Sequence, residues 1–478
     1  MQFNSILYIV FFTIVCLVYF LLADKFKRPF LLAASYFFYS CWNFKYSLLM
    51  LFSTVVTFFT GKFMARENSI KRKKFLLGLC FFINLSILYI FKYFTFSVNF
   101  LNKILGLLNL NLDIGPLNLL LPVGISFYTF QALGYIIDIY RGDIEVEKNF
   151  INYALFVSFF PQLVAGPIER SKNLLRQIDS LGSRRYENLS KGFLYILWGF
   201  FLKLVIADRS AIFVNQIYSG YQAYSYIYLI LAAVLFSFQI YCDFYSYSII
   251  AKGSAKILGY DLMDNFQAPY LSKSITEFWR RWHISLSTWF KDYLYIPLGG
   301  NRRGSLRKHF NVLVVFLVSG LWHGANCTFV LWGLIHGFFN ILEDSLKTFT
   351  KQFRNNFIYR NLRRLITFII AIISFVIFRS NNIGQAGEFL FGILRRQGST
   401  IDIDKALYLK DAGVLLCALA VLLFVDIFTY NKIKLVDIIE KQALYIRWLI
   451  YLALIVVTVI FGVYGPGYSE IQFIYFQF

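Results

Sequence analysis

Histidine is the side chain best suited to acid–base chemistry near neutral pH, and this chain has four of them. His323 stands out because Gly320 lies three residues before it and Gly324 directly after it. Glycine has no Cβ, so another group can approach the backbone closely at these positions. The pattern fits two roles for His323 equally well: a general base, or a buried histidine that is hydrogen-bonded to a neighbouring helix.

The other histidines lie in different surroundings. His309 follows Arg307 and Lys308, which is typical of a residue at a surface or interface. His336 comes thirteen residues after His323, and at about 100° per residue the two do not share a helical face. Because the sequence also has no HExxH pattern, we expect no metal site.

A cysteine nucleophile is a further possibility from the spacing. Cys327 follows His323 by four residues, so the two side chains share a face if the segment is helical. A Cys–His pair of this kind can act in nucleophilic catalysis, although a packed free cysteine is the commoner outcome. The six cysteines form no CxxC pair, so neither zinc nor a disulfide framework is indicated.

A second dense stretch of polar and aromatic residues surrounds His283 and includes Arg280 and Arg281. Ser274 is a candidate N-cap for a helix there, with Glu277 three residues later completing a capping box. Such a helix fits an interface, with its tryptophans and basic residues at the boundary. The alternative is that Arg280, Arg281 and His283 face a polar cavity and bind an anionic donor. We favour the cavity, because many polar groups compete for one interface.

The elements that hold these residues are strongly apolar. The chain is 58% hydrophobic and 15% charged, with a mean hydropathy of +0.59, whereas a soluble protein of this size needs more polar surface. A helix of roughly 20 apolar residues crosses a bilayer. The clearest stretches are 5–22, 46–61, 74–91, 118–138, 193–207, 222–242, 310–322, 326–342, 362–378, 412–428 and 447–463, and shorter ones lie at 29–42, 150–165 and 245–258. We predict an all-α polytopic integral membrane protein with about 11–14 membrane segments.

The net charge of +21 would suggest nucleic-acid binding in a soluble protein. Here lysine and arginine cluster in short loops between apolar runs, as expected for loops that stay in the cytoplasm, so we expect no nucleic-acid partner. The segments 62–74, 166–192 and 344–365 are predicted to be cytoplasmic, and 379–411 to face outwards. The first apolar run has no cleavage site, so we expect a retained helix with its N-terminus outside.

Proline and glycine interrupt two apolar runs, at residues 121–128 and 159–170. In a membrane, a broken helix survives only where protein or water satisfies the freed backbone groups. We therefore predict two broken helices that line a cavity.

Taken together, these residues resemble the membrane-bound O-acyltransferase (MBOAT) family, and in particular its branch with the alginate O-acetyltransferase membrane subunit. One stretch departs from that branch: relatives usually have Ser-Gly where Tyr245 and Ser246 stand, and Asp where Ile249 stands. This departure bears on the local packing and on the acceptor route, and it leaves His323 untouched. The stretches that carry the resemblance are 122–128, 160–170, 277–293, 295–302, 320–325 and 336–337.

The resemblance implies a ring of about 11–14 transmembrane or re-entrant helices around a central cavity. It implies one domain over residues 1–478, with a motif-rich catalytic core at about 120–340 and flanking scaffold helices at 1–119 and 341–478. The family's essential histidine matches His323, and its second recurring histidine matches His283. The reaction implied is acyl transfer from a cytosolic donor towards an extracytoplasmic hydroxyl.

From this we predict an O-acetyltransferase of the cytoplasmic (inner) membrane that acetylates an extracytoplasmic or cell-wall polysaccharide. His323 is the predicted general base, His283 positions the donor or relays a proton, and Arg280 and Arg281 are candidate donor-binding residues. No permanently bound cofactor is expected; acetyl-CoA is the expected donor substrate, and an extracytoplasmic acetyltransferase partner completes the transfer. The alternatives are D-alanyl transfer to teichoic acids, a transporter, which would be expected to show repeated halves, and a scaffold without chemistry.

Overall fold

The structure is a computed structural model, and 78% of it is helical, with no β-strand among the residues that it describes. The chain divides into two compact units, Met1–Leu189 with Ser254–Met263, and Ser190–Gly253 with Asp264–Phe478. The all-α prediction is confirmed, whereas the ring of helices stays a prediction. The described residues are 1–109, 115–117, 119–164, 166–182, 185–347, 349, 351–353, 356–396, 398, 409–465 and 473–474.

The first unit contains helices of very different lengths. They are α1 (Ile6–Leu21), α2 (Asp24–Ser40), α3 (Phe44–Arg66), α4 (Ile70–Lys92), α5 (Phe94–Leu107), α6 (Ile125–Arg141), α7 (Phe150–Ser158), α8 (Phe160–Leu163) and α9 (Ser171–Asp179).

The second unit contains most of the remaining helices, with π-helical turns at Leu202–Ala207 and Lys291–Tyr295. The remaining helices are α10 (Tyr186–Phe201), α11 (Asp208–Ser219), α12 (Tyr226–Ile257), α13 (Ile275–Arg281), α14 (Ile284–Phe290), α15 (Ser305–His323), α16 (Cys327–Ser345), α17 (Phe357–Arg379), α18 (Ile383–Leu394), α19 (Leu409–Tyr430), α20 (Leu435–Glu440) and α21 (Leu444–Phe461). The first four residues of α10 and the last four of α12 belong to the first unit.

Several helices are suited to crossing a membrane, which confirms the polytopic prediction. Two predicted stretches, 222–242 and 245–258, are one continuous helix, because the polar residues between them have partners inside the protein; Asp243, for example, pairs with Lys203 at 2.7 Å. The seven helical segments in the described residues that are long and apolar enough to cross are Phe44–Arg66, Ile70–Lys92, Tyr186–Ser219, Tyr226–Ile257, Phe357–Arg379, Asp411–Tyr430 and Leu444–Phe461.

The predicted break near residue 159 separates α7 from α8. It frees the carbonyl of Phe156, which accepts hydrogen bonds from the side-chain amides of Gln131 at 2.6 Å and Gln162 at 2.8 Å. On the other side of the break, the N–H of Phe160 donates to the hydroxyl of Ser35 at 3.1 Å. Protein groups thus satisfy the interrupted backbone, as a membrane environment requires. The prediction of a broken helix is confirmed here.

The second predicted break delays the start of α6. Gly124 precedes the helix and has φ of 75°, a left-handed conformation that residues other than glycine rarely adopt. A Cβ at this position would also lie 2.5 Å from the carbonyl oxygen of Leu163. The apolar run that begins at 118 therefore becomes helical only from Ile125.

Helices α15 and α16 form a tightly packed hairpin. A Cβ on Gly320 would lie 2.3 Å from the carbonyl oxygen of Phe329, and a Cβ on Gly333 would lie 2.3 Å from that of Phe316. Neither distance is possible for a real Cβ, so these glycines set the separation of the two helices. The close approach predicted at Gly320 is confirmed, and the approaching group is the backbone of α16.

The chain between α12 and α15 turns back along the middle of α12. The hydroxyl of Tyr270 donates to the carbonyl of Ser237, and the ring of His283 lies 4.6 Å from that of Phe244. Both Ser237 and Phe244 belong to the interior of a helix that is long enough to span a membrane. The segment that carries His283 therefore packs against the middle of α12, and a re-entrant course in the membrane stays a prediction.

Candidate active site

His283 is held between two short helices by its own unusual backbone. It is the residue before α14 and adopts φ of 44° and ψ of 53°, the left-handed region. A non-glycine residue in this region costs about 1–3 kcal/mol, so the surroundings must enforce it. Asn265 does so, because its carbonyl accepts from the N–H of Ile284 at 3.0 Å and its side-chain oxygen lies 3.1 Å from Nδ1 of His283.

The helix before His283 starts as the sequence predicts. The Ser274 hydroxyl accepts a hydrogen bond from the N–H of Glu277 at 2.9 Å, which confirms the predicted N-cap. The helix ends at Arg281, so His283 does not continue it. Phe278 and Trp279 of this helix contact the ring of His336, with centroid separations of 6.0 and 5.1 Å. One face of the helix is therefore packed inside the second unit, while Arg280 is exposed, and both the interfacial and the cavity alternatives stay predictions.

His323 is the last residue of α15 and is 3% exposed. Its ring makes edge-on contacts with Trp322, Trp332 and Phe378 at centroid distances of 5.1, 5.0 and 5.5 Å. Trp322 also lies 6.0 Å from the ring of His283. One tryptophan thus links the two histidines that the sequence singles out, in an apolar and buried environment.

His336 lies in the same cluster but is held differently. Its ring is 5.0 Å from that of Trp332, and its Nε2 lies 3.0 Å from the hydroxyl of Ser374. That hydroxyl donates its single hydrogen to the carbonyl of Ala371 at 2.8 Å, so it must accept from Nε2–H of His336. The arrangement is that of a buried histidine which ties α16 to α17, and it supports a structural role.

The two predicted donor-binding arginines have different environments. Arg280 is exposed. Arg281 forms an ion pair with Glu277 at 3.0 Å and lies 4.2 Å from the ring centroid of Tyr430. Its guanidinium also donates to the carbonyl of Gln267 at 3.1 Å. Arg281 is therefore engaged in holding this segment, and donor binding by either arginine stays a prediction.

Cys327 and His323 do not belong to one helix. Helix α15 ends at His323, the next residues are non-helical, and α16 begins at Cys327, whose side chain is exposed. The side chain of Asn326 accepts from the N–H of Thr328 at 3.1 Å and so starts the new helix. Cys327 and His323 therefore share no helical face, because the helix is interrupted at Gly324 and Asn326. The premise of the predicted Cys–His pair is wrong.

His309 lies at the other end of the hairpin. Its Nε2 is 3.2 Å from a carboxylate oxygen of Asp344, which also pairs with Lys308. The hydrogen bond from Lys308 lowers the pKa of Asp344, and that from His309 acts in the same direction. These groups form a partly exposed cluster far along α15 from His323, and the interfacial position of His309 stays a prediction.

Sequence reasoning missed a buried charged cluster. Lys203, in the π-helical turn after α10, pairs with Asp208 at 2.8 Å and with Asp243 at 2.7 Å, and its side chain is fully buried. The second oxygen of Asp243 accepts from the N–H of Ile474 at 2.8 Å. Ionisable residues within apolar runs are a functional signal that would have found these three side chains. Sequence could not show that they are partners.

The stretch that departs from the resembled branch is well packed in this structure. Tyr245 stacks on Tyr241 at 5.6 Å, and the hydroxyl of Tyr241 donates to Asp426 at 3.0 Å. Tyr245 also contacts Phe266 at 5.8 Å, beside the segment that carries His283. The aromatic residues of this stretch therefore pack against the segment that carries His283. Within the part of the chain that the structure describes, no group of three His, Cys, Asp or Glu side chains could hold a metal ion.

The class of protein now follows: a polytopic helical membrane protein that buries two histidines around a shared tryptophan. The chain belongs to the membrane-bound O-acyltransferase family, whose sequence model matches residues 144–383. It is accordingly an acyltransferase.

Three relatives show the range of this similarity. A "probable alginate O-acetylase" of Pseudomonas syringae is 39% identical over 390 residues, which cover 81% of this chain and 74% of the relative. A peptidoglycan O-acetyltransferase of Helicobacter pylori is 35% identical over 84% of this chain and 81% of its own length. A teichoic acid D-alanyltransferase of Streptococcus thermophilus is 28% identical over 55% of this chain and 69% of its own length.

Proposed function

We propose that this chain takes an acetyl group from cytosolic acetyl-CoA and moves it across the membrane for O-acetylation of an extracytoplasmic or cell-wall polysaccharide, with His323 as the general base. The observation that carries the proposal is the placement of His323 at the end of α15, buried and joined through Trp322 to His283. The other buried histidine of the cluster, His336, has its N–H directed to Ser374 and is left out of the chemistry.

The reaction requires one proton to move twice. The acceptor hydroxyl oxygen attacks the thioester carbonyl carbon while His323 takes the hydroxyl proton. The carbon–sulfur bond then breaks, and the leaving thiolate receives that proton from His323. General-base catalysis of this kind contributes about 10²–10⁴-fold.

The relatives support acetyl over D-alanyl as the acyl group that this chain transfers. The acetyltransferase relatives cover 81–84% of this chain at 35–39% identity, whereas the D-alanyltransferase covers 55% at 28%. The sequence from Tyr295 to Arg302 also favours the acetyl branch. D-alanyl transfer to teichoic acids remains the second candidate, supported by family membership and by this more distant relative.

The names of the same relatives support a polysaccharide as the acceptor. Their names refer to alginate and to peptidoglycan, both of which are glycan polymers outside the cytoplasm. We propose that this chain resides in the cytoplasmic membrane and hands the acetyl group to an extracytoplasmic acetyltransferase, which completes transfer to the polysaccharide. Arg280 is proposed to contact the phosphates of the donor.

Product analysis tests the proposal. Cells with and without the chain are fed radiolabelled acetate, and both the labelled ester-linked acetyl and the amount of ester-linked D-alanine are measured in each surface glycan fraction. Loss of acetyl esters from one glycan on deletion supports the proposal and identifies the acceptor. Loss of D-alanyl esters with unchanged acetyl esters would favour the second candidate. Unchanged esters of both kinds would contradict the proposed function.

A further inference from the structure

We infer that Asn265 is a positioning residue that fixes the tautomer of His283, so that Nε2 is the basic nitrogen offered to the reaction. The inference rests on the proposed catalytic role of His283. It concerns a residue eighteen positions away in the sequence that no motif assigns.

The orientation of the Asn265 side chain is determined by an obligate donor. The backbone N–H of Ser285 can only donate, and it points to Oδ1 of Asn265 at 3.3 Å. The hydroxyl of Ser285 lies 3.0 Å from the same oxygen, and the amide Nδ2 of Asn265 lies 3.1 Å from the hydroxyl of Ser248. An inverted amide would set its NH₂ group against the N–H of Ser285, so oxygen must occupy this position.

The protonation of His283 follows from that orientation. Its Nδ1 is 3.1 Å from Oδ1 of Asn265, and an amide oxygen only accepts hydrogen bonds. Nδ1 must therefore carry the proton, which leaves the lone pair of the neutral ring on Nε2. Asn265, Ser285 and Ser248 are all buried, so water does not compete for these contacts.

Asn265 also holds the backbone on which His283 stands. Its carbonyl accepts from the N–H of Ile284, directly after the left-handed residue. The backbone contact persists in any Asn265 variant, whereas the contact to Nδ1 depends on the side chain. Substitutions of this side chain therefore separate tautomer control from local folding.

The experiment compares four variants of the full chain in cells, by the initial rate of labelled acetyl incorporation into surface glycan per membrane-inserted chain. Asn265→Leu removes the acceptor for Nδ1–H, and the rate is expected to fall about 10²-fold, as for misplacement of a reacting group. Asn265→Asp keeps an acceptor at Oδ1, and Ser248 can turn its hydroxyl to donate to the carboxylate. This variant is expected to retain most of the rate.

The third variant is His283→Ala and the fourth combines it with Asn265→Leu. If Asn265 acts through His283, the double variant is no slower than His283→Ala alone. Ser374→Ala, which removes a matched buried partner from His336, serves as the control and should leave the rate unchanged.

Two results would overturn the inference. The first is a normal rate in Asn265→Leu. The second is that adding Asn265→Leu to His283→Ala lowers the rate by the same factor as Asn265→Leu does alone. A normal rate in His283→Ala would instead remove His283 from the proposed function, and with it the premise for Asn265. A normal rate in His323→Ala reports on the proposed general base alone, so the failures are distinguishable.

Discussion

At the scale of the residue, the surroundings of each histidine decide its role more than the sequence motif does. His323 and His336 both have a glycine beside them, yet His336 donates to Ser374 whereas His323 lies against Trp322 and Trp332. The motif around His323 could be recognised from the sequence. The contact of His283 with Asn265 could not, because the two are 18 positions apart and only the folded path of the chain between α12 and α15 brings them together.

Cys327→Ser is expected to leave most of the acetyl-transfer activity. The Cys327 side chain is exposed, and the residue is the first of α16, whereas His323 is the last of α15. The thiol is therefore not held against His323 as a nucleophile would be. Surface acetylation per inserted chain is the measurement. Mass-spectrometric detection of an acetyl group trapped on Cys327 would contradict this expectation and would indicate a covalent acyl-enzyme.

At the scale of the element, most helices can be predicted from hydrophobic runs and from the glycines that end or interrupt them. The capping of α13 by Ser274 and the close approach at Gly320 were also predictable, because both depend on local sequence. The continuity of α12 was not, since polar residues such as Asp243 suggest an interruption unless their distant partner is known. The ion pairs of Lys203 could not be predicted either, because Asp243 is distant from it in the sequence.

The α15–α16 hairpin should not tolerate a methyl group at its contact. Gly320→Ala places Cβ against the carbonyl of Phe329 and is expected to destabilise the protein by about 1–3 kcal/mol. Gly413→Ala in α19 is the control, because its Cβ would meet nothing within 4 Å. Thermal unfolding of the purified protein in detergent compares the two. Equal melting temperatures would show that the hairpin can open at no cost.

The buried ion pairs around Lys203 give a second element-scale prediction. Lys203→Met leaves Asp208 and Asp243 buried without their cation and is expected to cost about 3–5 kcal/mol. Lys191→Met removes a more exposed pair with Asp437 and should cost no more than about 1 kcal/mol. Thermal unfolding measures both. Similar losses for the two variants would mean that the cluster is screened and has no special role in stability.

At the scale of the whole molecule, orientation in the membrane determines whether the mechanism is possible, because the donor is cytosolic and the acceptor outside. Charge bias predicts it: basic segments at 62–74, 166–192 and 344–365 resist translocation, and 379–411 has few basic residues. Residues 397 and 399–408 of that last segment lie outside the described residues. The contact of Tyr221 and Gln222 with Glu388 places residues 220–225 beside α18.

Single cysteines at Ser69, Ser180 and Ala223, in a background without native thiols, test this orientation. All three positions are exposed. We expect a membrane-impermeant maleimide to label Ala223→Cys alone in intact cells, and to label the other two after permeabilisation. Labelling of Ser69→Cys or Ser180→Cys in intact cells would invert the topology and would separate the cytosolic donor from the proposed site.

The central claim is that His323 is the general base of acetyl transfer, and His323→Ala tests it most directly. The measurement is ester-linked acetyl on the surface glycan per chain inserted in the membrane, with Ser374→Ala as the control for damage to the same buried cluster. We expect His323→Ala to insert normally and to lose about 10²–10⁴-fold of the transfer rate, while Ser374→Ala keeps it. A well-inserted His323→Ala chain with full surface acetylation would contradict the claim.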